Sequence, residues 1–413
     1  MNSEAPQSAG AGNNSGHPRQ QTRPFARLFE SSRSALAFAA ILFVAVWLRF
    51  YRLPERGIFV HDEGHFLSYV QTIRDAWSWA RDEDPHLQNL DFSVLKELLQ
   101  QRGGTFYAAG KHGHLLSLAA VSLLTGNSDV GALAYSAILG SLTVVVLFFL
   151  GQRLFGEVAA LIAMGTLGAM PLAVSFSRSA LAQADSSFFF LLSLCLFLWG
   201  MAGGGGGQPA ARRGLLLFCG GLAAGVAFTC HYNVLIPLCF VGVLITWWAL
   251  RDHQTGEDRR MVRLLGVGLL GFVMPLILIN IPYWLVALKV KSHYPNFHTY
   301  FEEMRFQLTL KGRTESPLYL AEVRELPGGP LFFVVNLVAE QGFIFAGILI
   351  AAAVGLPLIR RQGYRHKAHL PLVFLFLAPA IVLSVYRYRV LRSFVPLLPL
   401  GALIVGRFFD LVR

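Results

Sequence analysis

Apolar runs of about 20 residues recur along this 413-residue chain, and they settle its class before any motif is read. In lipid a free backbone N–H or C=O finds no water, so a segment of that length crosses a ~30 Å hydrocarbon core as a helix. Hydrophobic residues make up 54% of the sequence and charged residues only 14%, against roughly 25% charged in soluble domains. The mean hydropathy is +0.51. The chain therefore reads as an all-α polytopic membrane protein. Spans are expected near 34–50, 131–151, 157–175, 186–201, 214–230, 233–250, 264–288, 341–359, 369–386 and 393–410. The net charge of +11 then reflects basic cytoplasmic loops and contacts with membrane lipids, with no nucleic acid partner.

Topology follows from the loops. Leu115–Leu124 is an apolar run of only ten residues, about 15 Å as a helix, and is assigned to the interface rather than to a span. Arg153, Arg212, Arg213, Arg251, Arg259, Arg260, Arg360, Arg361, Arg365 and Lys367 then fall on the cytoplasmic side. Short outer loops keep Arg178, Arg387, Arg389 and Arg392. That asymmetry obeys the positive-inside rule and puts both termini in the cytoplasm. Residues 1–33 read as a disordered cytoplasmic tail, rich in Ser, Gly, Asn and Pro. Residues 34–413 form one transmembrane domain. Its two long outer loops are 51–113, with interfacial helices suggested by Phe66, Val70, Ile73 and Trp77, and 289–329.

Polar residues gather on that outer side. Gly57–Phe66 carries His61, Asp62, Glu63 and His65 directly after the first span. Lys111 and His112 precede the interfacial run, and Arg178 and Asp185 flank a tight outer turn. His231 and Tyr232 fill another turn, and Arg387, Tyr388, Arg389 and Arg392 fill the last. One end of this constellation is carboxylate, suited to deprotonating a nucleophile or holding a metal. The other is cationic, suited to a phosphate.

Four elements in order resemble the GT-C superfamily of polyprenyl-phosphate-dependent glycosyltransferases, and most the branch of protein O-mannosyltransferases and lipid A aminoarabinose transferases. They are Asp62-Glu63; Lys111-His112-Gly113-His114 leading to Thr125-Gly126; Leu150-Gly151-Gln152-Arg153-Leu154-Phe155-Gly156 followed by Arg178 and Asp185; and Arg392 with Pro396 and Pro399. Gly113 stands where that branch usually has proline, and Ser393 replaces a common aromatic.

The resemblance implies a GT-C-like bundle of about 10–11 transmembrane helices. It also implies transfer of a sugar from a polyprenyl-phosphate donor to a glycan, lipid or protein acceptor at the periplasmic or extracytoplasmic face, in a bacterial inner membrane. Asp62 is the expected base of an inverting reaction, with Glu63 and Asp185 as further catalytic residues. Lys111, Arg178, Arg387, Arg389 and Arg392 are expected on the donor phosphate. His61, His65, His231, Tyr232 and Tyr388 are expected along the substrates. No cofactor is required, although a divalent metal at Asp62 and Asp185 is allowed for.

Two other classes compete. A lipid or polysaccharide transporter would show inverted repeats and charge at the midplane. A zinc hydrolase would need Glu directly after His61, where Asp62 stands.

Overall fold

The computed structural model describes residues 29, 31–58, 63–64, 66–72, 74–75, 111–126, 128–201, 209–251, 258–281, 342, 345–356, 369–385 and 391–413. Every regular element among them is helical. His61, Asp62, His65, Arg387, Tyr388 and Arg389 lie outside the described residues, as do 289–329 and the Gly203–Gly207 run.

Helix α1 (Ser32–Phe50) starts where the Ser31 hydroxyl accepts the Ser34 N–H. Leu36, Phe43 and Trp47 point outward while Ala45 and Arg49 are buried, so one face meets lipid and the other the bundle. The chain then turns through Leu53–Arg56. Helix α2 (His112–Thr125) has 14 residues, about 21 Å, too short to cross. Helix α3 (Asp129–Phe155) is a full span capped by the Ser128 hydroxyl.

The expected single span over 157–175 is instead two helices, α4 (Glu157–Ala169) and α5 (Pro171–Ser177), bent by 62°. Proline at 171 has no N–H to continue the ladder and disfavours helix at the preceding residue. Helix α6 (Gln183–Met201) begins three residues earlier than the expected 186–201, which puts Asp185 in its first turn.

Helix α7 (Ala210–Cys230) runs beside α9 (Asp258–Pro275) at close backbone contact. Gly221 and Gly225 on α7 and Gly271 on α9 have no room for a Cβ. Small residues at such faces let membrane helices approach closely. Helix α8 (Leu235–Arg251) lies between them in sequence. After Pro275 the helix widens into a π turn, Leu276–Asn280, which buries Asn280. Helices α10 (Phe345–Leu356) and α11 (His369–Val385) precede the 3-10 segment Leu391–Leu397 and the last helix, α12 (Leu398–Val412).

Helix α12 is sunk in the core, with Leu400, Ala402, Leu403 and Ile404 almost fully buried against α4 and α3. Among the described residues, five helices are long and apolar enough to span, or six with the bent pair counted once. The spans expected at 233–250, 264–288, 341–359 and 369–386 are represented by shorter apolar helices. The protein is an integral membrane protein.

Candidate functional site

Described polar side chains from five elements meet at one end of the bundle, between the Arg56 turn, α2, the start of α6, the end of α7 and the segment before α12. Glu63 is fully buried there. Its Oε1 accepts the Ala180 backbone N–H at 2.8 Å and an N–H of Arg56 at 3.0 Å. Glu63 thus holds the turn between α5 and α6, next in sequence to Asp62.

Asp185 is also fully buried. Its Oδ2 accepts the Tyr135 hydroxyl at 3.1 Å and faces His114 Nδ1 at 3.0 Å. His114 Nε2 lies 3.1 Å from the Ala180 carbonyl oxygen. Asp185 Oδ1 has no hydrogen-bond partner among the described residues. One oxygen of this carboxylate is locked and the other is left over.

The cationic side is assembled by helix ends. Lys111, 6% exposed, places Nζ 4.7 Å from the centroid of the Phe66 ring. That desolvated cation–π contact fixes its direction. His231 closes α7, and its Nδ1 accepts the Asn233 N–H, so this nitrogen carries no proton. The Asn233 amide donates to the Ser393 hydroxyl at 2.7 Å. This bond ties the turn after α7 to the segment carrying Arg392. An aromatic at position 393, common in the resembled branch, could not accept it.

Burial, then the charges of Lys111, Arg392 and His114, holds His231 well below the ordinary imidazole range. It is a neutral ring among cations. Burial pushes His112 down to about 3, partly opposed by Asn280 in the π turn. π bulges are frequent at functional sites.

Gly113 explains its own departure from proline. A Cβ there would overlap Thr229 Oγ1 and meet the backbone of Thr229 and Cys230 at 3.0 and 3.1 Å.

Of the expected site residues, Glu63, Lys111, Asp185, His231, Tyr232 and Arg392 are described and lie at this end. Arg178 is there too, but its Nη1 donates to the Leu48 carbonyl at 3.0 Å and clamps the end of α1. Sequence reasoning did not single out Arg56, His114 and Tyr135 as site residues. The second histidine of Lys-His-Gly-His was the available signal for His114. Tyr135 carries no local signal, because only the fold brings residue 135 to residue 185. Among the described residues no group of three or more His, Cys, Asp or Glu is placed to hold a metal ion.

Residues 114–280 match the family model described as dolichyl-phosphate-mannose-protein mannosyltransferase. The matched stretch contains His114, Tyr135, Asp185, His231 and Asn280. ArnT from Cupriavidus metallidurans, in a crystal structure bound to undecaprenyl phosphate, superposes with a TM-score of 0.62 at 18% identity, over 92% of this chain and 61% of that one. This is a GT-C fold. The archaeal oligosaccharyltransferase AglB from Archaeoglobus fulgidus, in complex with an inhibitory peptide and a dolichol-phosphate, shares it at a TM-score of 0.61 and 13% identity. That match covers 93% of this chain and 51% of AglB. The chain thus spans about half to three-fifths of the length of these GT-C relatives. No curated protein matches it by sequence.

Proposed function

We propose that this protein is a membrane glycosyltransferase that moves a sugar from a polyprenyl-phosphate donor to an acceptor at the extracytoplasmic face. The observation that carries the reading is one buried site with a carboxylate side (Glu63, Asp185) and a cationic side (Lys111, Arg392), built in a GT-C fold. A lipid-linked phosphate and an acceptor nucleophile need those two chemistries side by side. ArnT and AglB, which share the fold, have a polyprenyl or dolichol phosphate in their structures.

In this reading the phosphate leaves with the negative charge that develops on its bridging oxygen. Lys111 and Arg392 stabilise that charge, a part also assigned from sequence to Arg387 and Arg389. A polyprenyl phosphate is an adequate leaving group, so no general acid is required. A base must take the proton from the acceptor hydroxyl or amine, and Asp62 is assigned that part. Glu63 fixes the neighbouring turn. Asp185, oriented through Oδ2 by His114 and Tyr135, offers Oδ1 to an O–H or N–H of a substrate. Attack opposite the leaving phosphate inverts the anomeric carbon. The neutral His231, kept uncharged by burial beside Lys111 and Arg392, serves as an uncharged contact.

The test is reconstitution in liposomes of bacterial polar lipid with extracted polyprenyl-phosphate sugars, followed by mass spectrometry of bound lipid and products. A sugar lipid that co-purifies and is consumed supports the reading. Binding and passage of the intact lipid across the bilayer, with no glycosidic bond broken, would overturn it in favour of a transporter.

A further inference from the structure

A second polar locus is built around Arg49, and the proposed reaction makes no use of it. Arg49, in the last turn of α1, is 1% exposed. Its Nη1 donates to the carbonyls of Ala45 at 2.8 Å and Gly168 at 3.0 Å, and its Nε donates to Ser177 Oγ at 3.3 Å. All three acceptors are neutral. Among the described residues no carboxylate pairs with Arg49, and Nη2 makes no hydrogen bond. An uncompensated guanidinium inside a membrane bundle is costly and marks a function or a counter-charge.

Arg49 lines a cavity of about 30 Å³ with Gly140, Thr143, Ser177, Ser187 and Pro399. The Ser177 and Thr143 hydroxyls are already committed, donating to the Ala173 and Leu139 carbonyls. Ser187 Oγ is buried and has no partner among the described residues. Gln183 lies one turn away on the same face of α6, is 2% exposed, and leaves both amide atoms without a described partner. Gly140 lets Ser177 and Arg49 pack against α3, since a Cβ there would overlap Ser177 Oγ and come within 3.1 Å of Arg49 Nε.

The uncommitted groups on the lining can both donate: Nη2 of Arg49 and the Ser187 hydroxyl. The cavity has no described carboxylate on its lining. We propose that it binds a small inorganic anion of halide size, which neutralises Arg49 within the bundle. A volume of about 30 Å³ admits an ion of halide size. The locus is separate from the donor-phosphate cluster, because Lys111, Arg178, His231 and Arg392 do not line it. It stands on its own geometry and would survive a different assignment of the reaction.

The test uses the full chain in nanodiscs of zwitterionic lipid. The thermal midpoint is followed from about 1 to about 300 mM chloride, with gluconate holding ionic strength constant. A saturable rise of about 3–5 °C is expected, reproduced by bromide and absent with sulfate. Ser187→Ala removes one donor and should weaken the apparent halide affinity several-fold. Ser187→Val also fills the cavity and should abolish the response. Superimposable midpoints in chloride and gluconate, or a response unchanged in both variants, would overturn the proposal. Crystals soaked in bromide give a second reading: an anomalous peak between Arg49 and Ser187 supports the site, and a peak-free cavity holding only water overturns it.

Discussion

The two ends of the bundle use similar residues in opposite ways. At the end carrying Phe155, Arg407 donates to His369 Nε2 at 2.9 Å and to Asp410 Oδ2 at 2.6 Å, and lies over the Phe155 ring at 5.4 Å. Arg407 thus finds a neutral acceptor, a carboxylate and an aromatic ring, and locks α12 to α3 and α11. At the end carrying Asp185 the same residue types stop short of closure. Asp185 keeps an oxygen without a described partner, and His231 stays neutral beside Lys111 and Arg392. Polar groups that satisfy one another stabilise a fold. Polar groups held in place by neighbours yet left incomplete can be completed by a substrate.

The sharpest way to break this contrast is at the carboxylates. Asp62→Asn should lower turnover at least ~100-fold with donor binding largely kept, because only the proton acceptor is lost. Near-normal turnover would remove Asp62 from the base role and leave Asp185 and Glu63 as candidates. Dependence on added divalent ions, abolished by chelation, would then bring a metal into the assignment.

The cationic side is tested against the opposite end. Arg392→Ala should raise the donor KM by about tenfold or more, and Arg392→Lys by less, since an ammonium cannot grip two phosphate oxygens. Asp410→Asn, which breaks the partly buried pair with Arg407, should lower stability by about 1 kcal/mol and leave the donor KM unchanged. Equal donor-KM changes in well-folded Asp410→Asn and Arg392→Ala protein would erase the distinction between the ends.

Gly113→Ala probes the seam that positions Lys111 and His114. With Thr229 and Cys230 at contact distance, overpacking should cost about 1–3 kcal/mol. It should also lower activity more than Asp410→Asn does at matched stability. A midpoint and turnover equal to wild type would show that α2 can shift without consequence.

The smallest effect is on pH. His112, pushed down to about 3, and His231, also held low, stay neutral in the fold, whereas the unfolded chain takes up these protons near pH 6.5. Folded pKa values below the unfolded ones mean full stability above about pH 6.5. Stability is then lost progressively as pH falls toward 3. Thermal midpoints between about pH 8 and 5 should show that decline beginning below about pH 6.5. A flat profile would mean that water reaches these rings.

Much of the architecture was legible because lipid imposes a simple rule. A long apolar run must close its own hydrogen bonds, so 34–50, 131–151, 214–230 and 393–410 were found within a few residues of their ends. The bend at Met170–Pro171 was underread, since hydropathy averages across a proline that removes one N–H. The short run at 115–124 was read by its length, and α2 is indeed a 14-residue helix.

By itself the sequence determined the class, the principal spans, and the collection of carboxylates, lysine and arginines at chain positions that can share one end. Those follow from local composition and period. Only the tertiary structure decided which groups are committed. Glu63 is spent on Ala180 and Arg56, Arg178 on Leu48, and one oxygen of Asp185 on His114 and Tyr135. Arg49, at the end of the first span, is buried beside a cavity. Whether a polar group is free or satisfied depends on partners far away in the chain, and residues 63 and 180, or 135 and 185, meet only when the helices pack.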